Sequence, residues 1–214
     1  MNLELTITSL QAALSKSLPG TDVQWEMASS DRMIRNYPRK KKSDSKLAAV
    51  LILLYPVKEK LYTLFIQRPV YDGVHSGQIS FPGGKMEESD KDITDTAIRE
   101  SCEEIGLCRE DLRVLGFLSP LFIPVSNIEV SPLVAFCNER PDFSPDRKEV
   151  VSIIEARLED FFHDEIVKEK PMVIRNEALD VKYFDFKGHI IWGATAMILH
   201  ELLMLMKREG ILIG

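Results

Sequence analysis

Hydrophobic and polar positions alternate in short blocks over most of the chain. The runs LAAVLILLY from residue 47 and LYTLFIQR from residue 61 are apolar, aromatic and β-branched, and PVKEK divides them. That pattern predicts two strands with a tight connection. RVLGFLSPLFI, IEVSPLVAFC and EVVSIIEARL predict further strands, and PMVI, VKYFDF and HIIW shorter ones. Between them, Ile98, Cys102 and Ile105, with Ser101 beside them, recur at helical spacing and predict a helix pressed on a core. MNLELTITSLQAALSKSL reads as an amphipathic helix, and MILHELLMLMK as a core-facing one, too short and too interrupted to span a membrane. Residues 17–46 mix turn formers and charges without a clear period, so a connector is expected there. A mixed sheet covered on both faces by a few helices accommodates these elements.

A chain of 214 residues with 45% hydrophobic content has material for one sizeable core. Its net charge of -6 argues against general nucleic-acid binding. The N-terminus lacks the basic start and apolar middle of a secretion signal. Three cysteines, Cys102, Cys108 and Cys137, include no C-x-x-C pair, so neither a disulfide framework nor a zinc cage is expected, and a reducing cytoplasm fits best.

The chemistry concentrates in residues 87–104, where Glu87, Glu88, Asp90, Asp92, Asp95, Glu100, Glu103 and Glu104 face only Lys91 and Arg99. Like charges one turn apart on a helix repel, so folding alone gives no reason to gather them. By angle, Glu100, Glu103 and Glu104 fall opposite the apolar stripe and are expected to converge on solvent or a cleft. The plain alternative is a solvated face with a weak Arg99 to Glu103 pair. The preceding FPGGK favours a site, because two residues without side chains let a loop approach closely and turn a carbonyl outward. An oxygen-rich cluster of this kind suits a hard cation such as magnesium, which polarises phosphate and activates water.

These residues resemble the Nudix box, G-x5-E-x7-R-E-U-x-E-E-x-G-U. Gly84, Arg99, Glu100, Glu103, Glu104, Gly106 and Leu107 fall in place. Ser101 replaces an apolar residue, and Asp90 stands for the first glutamate at one residue's longer spacing from Arg99. Upstream, LFIQRPVYDGVHSGQISFPGG resembles the signature of the coenzyme A-cleaving branch. It keeps Leu64, Arg68, Gly77 and Phe81 to Gly84, and departs at Phe65, Ile66, Pro69 and Gly73. The resemblance implies an α+β domain, an α/β/α sandwich around a mixed sheet, over residues 47–214, with residues 1–46 outside its motifs. It implies Mg2+ or Mn2+ held by Glu100, Glu103, Glu104 and the Gly83 carbonyl, with Glu100 as base and Arg99 orienting the glutamates.

The implied reaction is hydrolysis of a nucleoside diphosphate linked to another moiety, with coenzyme A or an acyl derivative as the first candidate. Arg68 and Lys85 are the nearest cations for its phosphates. ADP-ribose, NADH and dinucleoside polyphosphates are rivals. Phe122 stands where the ADP-ribose members carry proline, and the SQPWPFPxS array of the NADH members is absent. A ligand sensor that no longer catalyses is the reading from another class. Asp142 and Glu149 are either bases from outside the box or surface acids. His75 and the Trp192-Gly193 pair are either pocket-lining or structural, and Arg39 to Lys42 either meet phosphate or are solvated. The expected partner is a small nucleotide, with no nucleic acid or membrane. The tail GILIG covers either its own domain or a second copy in a homodimer.

Overall fold

A computed structural model describes residues 3–30, 40–70, 77–174 and 176–211. His75, Gly73, Arg39 and the last residues of the tail lie outside that set. The elements run α1 (Leu3–Leu14), α2 (Thr21–Trp25), β1 (Lys46–Val57), β2 (Lys60–Gln67), β3 (Ile79–Ser80), β4 (Gly83–Lys85) and α3 (Ile93–Ile105). There follow β5 (Arg113–Phe117), β6 (Leu121–Ile123), β7 (Ile128–Phe136), β8 (Ser152–Arg157), β9 (Val167–Ile174), β10 (Glu177–Phe186), β11 (His189–Trp192) and α4 (Gly193–Arg208).

β1 organises the molecule. Its period of two sends Ala48, Ile52 and Leu54 to one face, and Ala49, Leu51, Leu53 and Tyr55 to the other. Both sets are buried, which is why the strand reads as a continuous apolar run. One face packs on α3 through Ala97, Ile98 and Ile105. The other packs on α1 and α4, and each Leu or Ile withdrawn there contributes about 1.5–3 kcal/mol. The result is the expected layered α+β fold with a mixed central sheet.

Along one edge β1 runs parallel to β7, from Lys46 opposite Ile128 to Leu54 opposite Phe136. The other edge forks. Residues 48–50 pair with β4, and residues 55–57 with β2. The fork opens the sheet beside the GG pair. β4 corrects the expectation of a loop at FPGGK: Gly83 has φ 148°, and a Cβ there would stand 2.2 Å from the Ala49 carbonyl oxygen. Only glycine lets the chain lie that close to β1.

Three further expectations are corrected. RVLGFLSPLFI divides into β5 and β6, both paired with β7. β9, β10 and β11 form a separate antiparallel sheet rather than extending the first. The presumed connector contains α2, and α1 sinks Ile7 and Leu10 fully into the main core. Buried Glu201 of α4 fastens this segment by accepting from the Gly20 N–H at 3.0 Å and Gln24 Nε2 at 2.7 Å. Ile211 is buried in its own domain's core. No helix among the described residues is long and apolar enough to cross a membrane.

Candidate active site

Helix α3 carries the acids and is closed at both ends. Asp92 caps it by accepting from the Asp95 N–H at 2.9 Å. Gly106, at φ 73°, ends it with the Gly106 N–H bonded to the Cys102 carbonyl and the Leu107 N–H to that of Ser101. Cys102 and Cys108 are joined in a disulfide across this end, so the expectation of no disulfide is corrected, as is the reading of Cys102 as core filling. The end of the helix and the turn at Gly106 bring the two sulfurs, six positions apart in sequence, together, a proximity that a count of cysteines does not reveal.

The buried stripe of α3 is Thr96, Ala97, Ile98, Ser101, Glu104 and Ile105. Glu104 is the departure from the expected outward trio: its side chain is 1% exposed, against 14% for Glu100 and 57% for Glu103. A carboxylate is tolerated there because it is paired. Glu104 Oε2 accepts from the Gly83 N–H at 2.8 Å, and Oε1 lies 2.9 Å from Arg68 Nη2. Burial nevertheless pushes its carboxyl up to about 7, Arg68 and the Gly83 N–H pulling back and Glu100 and Glu149 pushing further.

Glu100 fills the space above Gly84, where a Cβ would stand 2.4 Å from all three carboxylate atoms. Burial raises its carboxyl too, with Arg99 opposing and Glu103 and Glu149 adding. Arg99 is the hub behind it. It donates to Asp90 Oδ1 at 2.8 Å, Asp90 Oδ2 at 3.1 Å, Glu100 Oε1 at 3.0 Å, Glu103 Oε2 at 3.1 Å and the Lys85 carbonyl at 3.0 Å. Asp90, 2% exposed, is held well below the ordinary carboxylate range by those Arg99 bonds.

A cavity of about 900 Å³ opens beside these groups. Glu100, Glu104, Gly83, Arg68 and Lys85 line it, whereas Arg99 and Glu103 stand outside its lining. Glu149 does line it and Asp142 does not, which separates the two acids outside the box. Trp192 and Gly193 also belong to the wall, and Lys41 pairs instead with Glu129 at 2.8 Å. Gln78 and Ser80 were missed by sequence reasoning, because nothing in their spacing links them to the box, and Glu87, counted in the acidic run without a role, also lines the cavity. Val173, Ile174 and Leu179 of the second sheet also belong to the lining.

The sequence profile described as NUDIX domain matches residues 45–182. The chain belongs to the Nudix family. It is 38% identical over 161 residues to Nudix hydrolase 22, chloroplastic, of Arabidopsis thaliana, covering 72% of this chain and 53% of that one. It is 34% identical over 159 residues to the Nudix hydrolase NudL of Pectobacterium atrosepticum, covering 72% and 80%. A peroxisomal coenzyme A diphosphatase of Mus musculus is 28% identical over 156 residues, covering 70% and 66%. The chain spans about half the length of the Arabidopsis relatives it matches, 53% and 56%. The crystal structure of RenU, a Nudix hydrolase of M. smegmatis, shares the fold at TM-score 0.54 and 15% identity, covering 77% of this chain and 87% of that one.

Nudix hydrolases use divalent metal ions and act on small nucleotides. Among the described residues no three His, Cys, Asp or Glu side chains already form a metal cage. The oxygens present nevertheless suit a hard cation bound with water and substrate phosphate. Glu104 Oε1 is buried and has no aligned hydrogen-bond donor, and the cation nearest to it, Arg68, also holds the Gly83 carbonyl oxygen at 2.8 Å.

Proposed function

We propose that this Nudix domain hydrolyses the phosphoanhydride of a nucleoside diphosphate linked to another moiety, with coenzyme A or an acyl-coenzyme A as substrate. The observation that carries the reading is the cavity itself, whose lining combines Glu100, Glu104 and Gly83 with apolar side chains such as Ile123, Val173 and Leu179. A diphosphate suits the first part and a pantetheine or acyl arm the second. The likeness to a coenzyme A diphosphatase and the upstream arginine and glycine pattern support the same choice.

Mg2+ or Mn2+, held by Glu100, Glu104 and the Gly83 carbonyl with Glu103 recruited from the surface, would neutralise phosphate oxygens and acidify a water. The chain's own groups do the rest. Glu100 takes the proton of the attacking water, for which a carboxyl raised by burial is a better base than an exposed one. Arg99 fixes Glu100 through Oε1 and leaves its other oxygen to act. Arg68 and Lys85, which share the cavity lining with the acids, meet the diphosphate oxygens. Water oxygen bonds to one phosphorus as the bridging P–O bond breaks, giving phosphopantetheine, acylated or not, and 3',5'-ADP.

Purified protein with Mg2+ and separate coenzyme A, NADH, ADP-ribose and diadenosine polyphosphates, with products separated chromatographically, tests the assignment. Release of 3',5'-ADP from coenzyme A at the highest kcat/KM is expected. Faster cleavage of another member of the panel would reassign the substrate, and turnover of none would leave a sensor.

A further inference from the structure

One nitrogen, Arg68 Nη2, lies 2.8 Å from the Gly83 carbonyl oxygen and 2.9 Å from Glu104 Oε1. We propose that Arg68 is an internal counter-cation that keeps the metal's seat in the free protein, yields it when a divalent ion binds, and is thereby released to the substrate's phosphates. The inference rests on the metal-dependent reading above.

Its ground is exclusion at two oxygens. A guanidinium and a divalent cation cannot both sit between the Gly83 carbonyl and Glu104, since like charges repel strongly at such separations away from bulk water. Glu104 is 1% exposed, and a carboxylate buried to that degree needs a positive partner for the free protein to fold well. Arg68 supplies that partner from the end of β2.

The contact is also built to be given up. Where a permanent arginine–carboxylate pair is commonly a two-pronged fork, only Nη2 reaches Glu104 here, while Nε donates to Ser80 Oγ at 3.2 Å. Oε1 receives no aligned hydrogen bond, whereas Oε2 is satisfied by the Gly83 N–H. The Arg68 side chain is 23% exposed and lines the cavity. Its main chain is pinned, the Arg68 N–H bonding the Gln78 carbonyl at 3.0 Å. Release therefore moves the side chain alone, into the space that would hold the diphosphate. Metal and phosphate binding become positively coupled through a residue that touches each in turn.

Mn2+ binding, followed by electron paramagnetic resonance at pH 7.5 and 8.5 with no substrate present, tests this directly. Arg68→Ala is expected to bind Mn2+ roughly tenfold tighter than wild type at pH 8.5, because the competing cation is gone. Methylenediphosphonate is expected to strengthen Mn2+ binding to wild type and to do so much less in the variant. If Arg68→Ala does not fold, Arg68→Gln carries the same comparison. In wild type alone, the 15N signals of the Arg68 guanidinium should move to the positions of a solvent-exposed arginine on saturation with Mg2+. Equal or weaker Mn2+ binding by a folded variant at both pH values, or unmoved 15N signals at saturation, would overturn the proposal while leaving the hydrolase reading intact. Wild type that binds no Mn2+, with or without nucleotide, would remove the metal reading itself and this inference with it.

Discussion

Gly84→Ala separates the site's geometry from the fold's stability. Gly84 has no positive φ and pairs with Ala49, so alanine suits its backbone, and the lost chain entropy alone would stabilise by about 0.4–1 kcal/mol. The new methyl group would stand 2.4 Å from Glu100 Cδ, Oε1 and Oε2. Ordinary contact between such atoms begins near 3.5 Å, so the carboxylate must retreat by about 1 Å. It is tethered by Arg99 Nη1 at 3.0 Å, and that retreat strains or breaks the tether. A displacement of about 1 Å at a reacting group costs around 100-fold in rate, which corresponds to about 2.7 kcal/mol of barrier. The assay pairs kcat on coenzyme A with thermal unfolding: kcat should fall about 100-fold while Tm holds or rises. Because the loss acts through Glu100, it should nearly vanish when Gly84→Ala is added to Glu100→Gln. Wild-type turnover in Gly84→Ala, or an equal further loss in the Glu100→Gln background, would refute the argument.

Gly83→Ala should fail in the opposite way: its Cβ meets the Ala49 carbonyl oxygen at 2.2 Å and φ is 148°, so neither side can yield, and Tm should drop sharply or soluble protein be lost. Glu100→Gln should lower kcat by orders of magnitude with Tm nearly unchanged, since the residue is outside the apolar core; retained turnover would move the base to Glu149. With the Glu104 carboxyl pushed up to about 7, protons compete with metal below that pH. Apparent Mn2+ affinity should therefore fall by about tenfold per unit below pH 7 and level off above it, as isothermal titration would show. Metal-free protein should respond with the opposite sign: the folded state holds a proton at Glu104 that the unfolded chain releases above its ordinary 4.5, so stability falls as pH rises from 4.5 to about 7. Leu10→Ala, at a fully buried position of α1, should cost about 2–5 kcal/mol in denaturant unfolding; a value near zero would show that the N-terminal segment is not part of the cooperative unit.

The legible features of the sequence were those governed by local rules. β1 announced itself because burial on both faces leaves no polar position between Leu47 and Leu54 to interrupt the run. The acids of α3 were legible because their spacing is that of the box. Glu104 was not, although it belongs to the same pattern. Its burial depends on Arg68 and the Gly83 N–H, which reach it from other strands, and helical angle alone assigns a carboxylate to the wet side. β4 escaped for a related reason: Gly83 and Gly84 have no strand propensity, and what makes them a strand is the open edge of β1. Glu149 could not be told from Asp142 as a base or a surface acid, since its place on the cavity wall follows from tertiary folding rather than its neighbours.

The fork in the β1 edge explains why these features occur together. β4 can join β1 only as glycine at Gly83. The closeness it gains lets the Gly83 N–H reach Glu104, and the missing side chain of Gly84 makes room for Glu100. The same fork leaves the end of β2, and so Arg68, facing Gly83 across the opening. Acid, backbone and cation are thus set by one backbone device on the central sheet. The apolar side chains of the cavity lining, by contrast, include Val173 and Leu179 from the separate sheet of β9, β10 and β11. On the proposed reading, an acyl arm would also meet a sheet that carries none of the box acids. Val173→Asp, at a position already 78% exposed, should leave stability and Mn2+ affinity untouched. It should raise KM for an acyl-coenzyme A more than for coenzyme A itself, since only the longer substrate must lay an apolar chain against that wall. Equal changes in KM for the two substrates would show that the acyl arm lies elsewhere.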